Sequence, residues 1–95
     1  MKAYLVADVK ITDEEVYEGY KREVSATIAA YGGRYLVRGG ETDVLEGAWV
    51  PQRLVILEFP DMATLRKWYD SPEYRPLLEQ RGRSTFSKVV AIEGI

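Results

Sequence analysis

A chain of 95 residues with 46% hydrophobic and 29% charged residues is composed for one globular domain, residues 1–95, with a modest core that oligomerisation commonly supplements. Its net charge of −2 excludes a generic nucleic-acid binder, which needs a basic face to displace counterions, and leaves room for a small anion held by local arginines. The chain has no cysteine and no histidine. That removes disulfides, thiol nucleophiles, zinc–thiolate sites, imidazole bases, histidine-ligated haem and Ser-His-Asp triads.

Residues 3–9 (AYLVADV) are short and almost continuously apolar, which reads as a buried strand. No run approaches the roughly 18 apolar residues of a membrane span. Asp8 interrupts the N-terminal stretch and no small-residue cleavage site follows, so the expected setting is the cytoplasm, with no membrane partner. Thr12 and Glu15 then have the spacing of a capping box, and Asp13, Glu14, Glu15 and Glu18 suit the positive end of a helix rather than a metal site. Val16, Tyr20, Val24 and Ile28 recur every four residues, widened by Tyr17 and Tyr31, which predicts an amphipathic helix of about five turns ended by Gly32.

Residues 34–38 (RYLVR) alternate as a second strand, and 43–47 (DVLEG) are expected to continue it past a kink at Gly39-Gly40. The glycine pairs raise the question of a phosphate-cradling loop. Such a loop lies between a strand and the start of a helix, whereas Gly32-Gly33 follows a helix and Gly39-Gly40 sits between strand segments, so both read as punctuation. Residues 53–59 (RLVILEF) are a strong third strand. Asp61 caps a helix over 62–70, Ser71-Pro72 starts a further one over 72–81 with Pro76 inside it, and 85–93 (TFSKVVAIE) close the chain as a strand.

This order predicts an α+β, ferredoxin-like β-α-β-β-α-β fold, a four-stranded antiparallel sheet with its helices on one face. Strand parity then divides each strand into two sets. Leu5, Ala7 and Val9 oppose Tyr4, Val6 and Asp8; Tyr35 and Val37 oppose Arg34, Leu36 and Arg38; Val55, Leu57 and Phe59 oppose Leu54, Ile56 and Glu58; Lys88, Val90 and Ile92 oppose Val89, Ala91 and Glu93. An uncovered face carrying Val6, Leu36, Leu54 and Ile56 is too apolar for water, so the chain is expected to form a homodimer through its open sheet face. Parity places Arg34 and Arg38 together on that face.

YGGRYLVRGG (31–40), LEG (45–47), RLVILEF (53–59), WYDSPEY (68–74), Arg81 and the closing EG (93–94) together resemble a bacterial domain-of-unknown-function family of the dimeric α+β barrel superfamily. The resemblance runs nearly end to end. It implies the ferredoxin-like dimeric barrel. Superfamily relatives span cofactor-independent monooxygenases, isomerases, haem enzymes and ligand sensors, so the resemblance leaves activity open.

The candidate site residues follow from chemistry. Glu58 and Tyr20 are the candidate catalytic groups: a buried glutamate whose pKa rises toward neutral serves as a base, and a buried tyrosine as an acid. Arg38, Arg53, Glu46, Tyr74 and Arg81 are the candidate ligand-binding residues, with Arg38 or Arg53 stabilising an oxyanion and Glu46 orienting Arg53. Each has a plain structural alternative. Glu58 reaches Arg34 as an ion pair, Glu46 and Arg53 anchor a loop, the tyrosines fill the core, and Arg81 and Arg83 complement a helix terminus. Trp49 and Trp68 read as wall or interface groups. The expected ligand is a small anionic or aromatic molecule, with no cofactor and no metal, although an all-oxygen magnesium site remains chemically open. The two competing functions are a cofactor-independent enzyme and a non-catalytic ligand-binding or scaffolding dimer. A carboxylate and an arginine pointing unpaired into one enclosed cavity would favour the enzyme.

Overall fold

The structure, a computed structural model, describes residues 1–95. The elements run β1 (Ala3–Ile11), α1 (Glu14–Ala30), β2 (Arg34–Arg38), β3 (Leu54–Phe59), α2 (Met62–Tyr69), α3 (Arg75–Ser84) and β4 (Thr85–Glu93). The strands form one four-stranded sheet in the order β2-β3-β1-β4, with β1 antiparallel to both β3 and β4 and β2 antiparallel to β3. This is the ferredoxin-like α+β arrangement that the order of apolar and helical segments predicts.

Helix α1 starts one residue later than the capping-box spacing implies. Asp13 is the N-cap and its Oδ1 accepts from the Val16 N–H at 3.1 Å. An ionised carboxylate also complements the helix dipole, which gives it an advantage over Thr12. Tyr17, Tyr20, Val24 and Ile28 are buried, the stripe that the four-residue recurrence marks. Gly32 reverses the chain at φ +74. Asp61 caps α2 through the Thr64 N–H at 2.7 Å, as its position before an apolar run predicts.

Two expected elements need correction. The helix expected over 72–81 is α3, and it begins at Arg75. Ser71 instead closes a turn, its hydroxyl donating to the Trp68 carbonyl at 2.7 Å and accepting from the Tyr74 N–H at 3.1 Å. Pro76 consequently falls in the first turn of α3, where its missing N–H costs nothing. Residues 43–47 do not extend β2; residues 39–53 form a loop without strand pairing, and Val44 and Leu45 are exposed.

All three helices cover one face of the sheet. Between the layers lie Ala3, Leu5, Ala7 and Val9 of β1, Leu57 and Phe59 of β3, and Leu65, Trp68, Tyr74 and Leu77 from the helical side. Trp68 anchors this core, its ring centroid 4.1 Å from that of Tyr74 and 5.2 Å from that of Phe59, with its indole N–H donating to Thr27 Oγ1 at 3.1 Å. The other face stays open. Leu36, Phe86, Val90 and Ile92 are exposed there, while Val6, Leu54 and Ile56 are half-buried by their neighbours.

One irregularity decides what that face contains. Strand β2 pairs Tyr35 with Leu57 but Val37 with Ile56 and Arg38 with Val55, so Leu36 is an extra residue in a β-bulge. Directly paired residues share a face. Arg34, opposite Glu58, therefore stays on the open face, whereas Arg38, opposite Val55, is turned to the helix side. The parity that places both arginines on the open face fails at Leu36, three residues before the glycine pair.

Candidate functional site

The sheet and α1 enclose a cavity of about 30 Å³, room for roughly two water-sized groups. Leu5, Ala7, Val9, Val55, Leu57, Ile28 and Trp68 make its apolar wall. Its polar lining consists of Arg38, Arg53, Arg81, Lys21 and the tyrosines Tyr17, Tyr20, Tyr35 and Tyr74. No carboxylate lines it.

Each arginine arrives by a different device. The bulge at Leu36 delivers Arg38, whose guanidinium lies 4.4 Å from the Tyr35 ring centroid and donates to the Lys21 carbonyl at 3.3 Å. Arg38 is exposed and Lys21 half-exposed, which puts the mouth of the cavity beside them. Arg53 precedes β3, where its carbonyl accepts from the Val9 N–H at 2.9 Å. Its side chain runs beneath Gly39 and lies over the Tyr17 ring at 5.8 Å. Arg81, near the C-terminus of α3, donates from Nε to the Tyr74 hydroxyl at 3.4 Å.

The hydroxyls of Tyr20 and Tyr74 meet at 2.9 Å inside the buried layer. Burial pushes the Tyr20 pKa up, reinforced by Tyr74, so its proton stays on. The two hydroxyls carry two protons, of which their mutual contact uses one. Arg81 can only donate. One tyrosine proton is thus left without a protein acceptor.

Donors exceed acceptors elsewhere too. Arg53 Nε is buried with no hydrogen-bond partner. The ion pairs of the chain join Lys2 and Arg34 to Glu58, Lys21 to Glu18, and Arg75 to Asp70, and none involves Arg38, Arg53 or Arg81. Unspent donors in a largely apolar cavity call for a ligand rich in acceptors, and a charged one best.

Of the residues singled out from sequence, the structure brings Tyr20, Arg38, Arg53, Tyr74 and Arg81 to this cavity. Glu58 and Glu46 lie elsewhere. Glu58 is on the open face, where Oε1 accepts from Arg34 Nε at 2.9 Å and lies 3.7 Å from Lys2 Nζ. The Arg34 bond holds its pKa below the usual glutamate value, opposite to the upward shift a general base needs. Glu46 sits in the exposed loop and makes no ion pair with Arg53, whose guanidinium is turned under Gly39 to the helix side.

Sequence reasoning passed over Tyr17 and Tyr35 as cavity walls, Lys21 as a rim group and Asp8 as an anchor. Tyr17 lies one turn before Tyr20 and Lys21, and Tyr35 opposes Arg34 in parity, so each left a signal. Asp8 left none: a loop docked by a carboxylate has no periodicity. Its Oδ2 accepts from the Trp49 indole N–H at 2.9 Å, and its Oδ1 accepts from the backbone N–H groups of Gln52 at 2.9 Å and Arg53 at 3.4 Å.

The model of a domain-of-unknown-function family, DUF1330, matches residues 2–95. No curated protein matches the chain. Solved structures of the same fold include a protein of unknown function from Rhodopseudomonas palustris at 18% identity and TM-score 0.79, covering 99% of this chain and 82% of that one. A dimeric ferredoxin-like protein of unknown function from Jannaschia shares 14% identity at TM-score 0.73, covering 99% of this chain and all 100% of the other. SnoaB, a cofactor-independent oxygenase from Streptomyces nogalater, shares 10% identity at TM-score 0.67, covering 99% and 93%. At these identities the likeness is one of fold.

Proposed function

The chain belongs to the DUF1330 family of unknown function, and from that premise we propose that it is a homodimer whose cavity binds a small organic oxyanion, a carboxylate or an enolate. The observation that carries this reading is the cavity's lining: three arginines without carboxylate partners, one surplus tyrosine donor and no acid. Guanidinium groups in such a setting bind an oxyanion through charge-assisted hydrogen bonds, strengthened by exclusion of water. The small interior takes the anionic head, and the body of the ligand leaves past Lys21 and Arg38 at the mouth. The reading uses no metal and no cofactor.

The dimeric half of the proposal is supported by the exposed Leu36, Phe86, Val90 and Ile92 on the open face and by the fold shared with the dimeric Jannaschia protein. Residues 1–95 act in it as one unit, because the core draws on every helix and on β1 and β3. No helix is long and apolar enough to cross a membrane, and the apolar N-terminal stretch forms the central strand β1.

The Tyr20–Tyr74 contact favours a catalytic version as a second reading. With no carboxylate base in the cavity, its substrate is a carbonyl compound acidic enough to enolise readily. The α-proton is given up to water before binding, the arginines stabilise the oxygen of the enolate that enters, and the Tyr20–Tyr74 pair donates a proton to carbon in isomerisation, its own proton being replaced from water at the cavity mouth. The shared fold with a cofactor-independent oxygenase is compatible with this version and does not select it.

The test compares acetate with its neutral isostere acetamide as thermal stabilisers, alongside the solution mass. A ligand that binds only the folded state raises its stability in proportion to log concentration above Kd. Acetate is expected to stabilise the wild type, acetamide is not, and Arg53→Met is expected to abolish the difference. Equal effects of both compounds in a well-folded wild type would sink the anion reading. A monomeric mass would sink the dimer.

A further inference from the structure

The loop 39–53 presents two opposite chemistries that do not meet within one chain. Near its C-terminal end, Trp49 and Val50 form a groove of about 390 Å³ with Phe86, Lys10 and Lys88. The groove continues into a hollow of about 420 Å³ on the open face, reaching Val6, Leu54 and Val90. Phe86 is 74% exposed and Trp49 58%. Asp8, opposite Lys88 in the sheet register, is already occupied by three N–H donors of the loop. Neither Lys10 nor Lys88 has an ion-pair partner.

The other chemistry lies at residues 41–46 (ETDVLE). Glu41, Asp43 and Glu46 surround Val44 and Leu45, and none of these acids forms an ion pair. Leu45 is 85% exposed, an apolar side chain held out among charges. Gly47, at φ +86, turns the chain between this acidic tip and Trp49. A basic, aromatic groove that the loop's Trp49 and Val50 form with Lys10 of β1 and Phe86 and Lys88 of β4, and an acidic, aliphatic tip on that loop, are complementary between two copies.

We propose that in the homodimer the tip Glu41–Glu46 of each protomer seats in the groove of its partner, with Leu45 against Phe86 and Trp49 and the acids facing Lys10 and Lys88. This rests on the homodimer reading and adds the contact that fixes how the two open faces align. A two-fold axis makes the contact twice, since an isologous interface repeats every pairing. The apolar centre supplies burial, and the charges select this orientation over a slipped sheet-on-sheet stack. The loop thereby has a reason to be long and to be anchored at Asp8: it is an arm.

The absence of cysteine makes the test direct. Leu45→Cys and Phe86→Cys are prepared separately, mixed, allowed to exchange subunits and oxidised. The expected result is a cross-linked dimer from the mixture, well above either variant alone. In parallel, Asp43→Lys with Glu46→Lys is expected to weaken the wild-type dimer at least tenfold at low salt. Lys10→Glu with Lys88→Glu in the same chain is expected to restore it. A dimer that persists without cross-linking and ignores both charge reversals overturns the arm exchange while leaving the sheet interface standing. A groove that still binds a synthetic peptide of residues 40–48 in the intact dimer also overturns it, because the groove would then be free. A wild-type chain that sediments as a monomer overturns the arm and the homodimer together.

Discussion

The guanidinium of Arg53 occupies the space that a side chain at Gly39 would need: Arg53 Nη1 and Cζ are the atoms nearest to an added Cβ. Gly39 also sits at φ +71, a conformation that costs other residues roughly 1–2 kcal/mol. Gly39→Ala therefore combines a backbone penalty with displacement of a cavity arginine. The expected outcome is a stability loss of about 1–2 kcal/mol and a drop in acetate affinity of roughly tenfold, which corresponds to about 1.4 kcal/mol. Thermal melts with and without acetate measure both. Gly40→Ala is the control, since nothing stands within 4 Å of its added Cβ and its φ lies outside the positive range. Unchanged acetate affinity in Gly39→Ala would remove Arg53 from the site.

The bulge at Leu36 makes a sharp distinction between two arginines of one five-residue strand. Arg38→Ala is expected to weaken acetate binding about tenfold, the scale of one charge-assisted hydrogen bond. Arg34→Ala and Glu58→Gln are expected to leave acetate binding unchanged. Arg34 is 70% exposed on its side chain but Glu58 only 11%, so breaking the pair leaves the carboxylate with Lys2 alone and is expected to lower stability without touching the cavity. Calorimetric titration of the three variants decides. A loss in Arg34→Ala equal to that in Arg38→Ala would mean the bulge does not separate them.

That strand also shows where sequence reading ends. Regular period-two alternation correctly sorts Leu5, Ala7 and Val9 from Tyr4, Val6 and Asp8, because β1 pairs in unbroken register with both neighbours. The four-residue recurrence likewise finds Tyr20, and its burial follows. A bulge adds one residue without any compositional mark, so parity past Leu36 inverts and Arg38 reads as an open-face residue. Glu58 fails differently. Its parity is right, but the open face carries its own cation, Arg34, and the glutamate is spent there. Glu46 and Asp8 depend on the path of a loop, which no periodicity encodes.

Tyr20 and Tyr74 are predicted to be energetically coupled. Tyr20→Phe leaves the Tyr74 hydroxyl with only the long Arg81 contact, and Tyr74→Phe leaves the Tyr20 hydroxyl with none. Each single change should cost about 1–2 kcal/mol, because a buried polar group is orphaned. The double change should cost less than the sum, with a coupling of about 0.5–1.5 kcal/mol from denaturant unfolding. Additive effects would show that the 2.9 Å contact carries no energy. In the catalytic reading, Tyr20→Phe also lowers turnover without changing acetate affinity in proportion.

Asp8 connects the two faces, since it grips the Trp49 indole and the Arg53 N–H from the open side while the Arg53 side chain reaches the cavity. The Trp49 bond, opposed by partial desolvation and aided by the Gln52 and Arg53 N–H groups, holds the Asp8 pKa below its ordinary 3.8. A depressed carboxylate pKa contributes stability that is fully present above the unfolded value and lost as pH falls through the folded one. Loop docking should therefore be constant from neutral pH down to about pH 4 and release below it. The readout is the emission of Trp49, taken as the difference between wild type and Trp49→Phe so that the buried Trp68 cancels. Far-ultraviolet circular dichroism separates loop release from global acid unfolding. Asp8→Asn keeps an acceptor but has no charge to lose, so it is expected to abolish the acid-dependent step. It is also expected to weaken acetate binding a few-fold at neutral pH, because Arg53 loses part of its backbone anchor. A step that survives in Asp8→Asn would assign the titration to another group, and full acetate affinity in that variant would uncouple the loop anchor from the cavity.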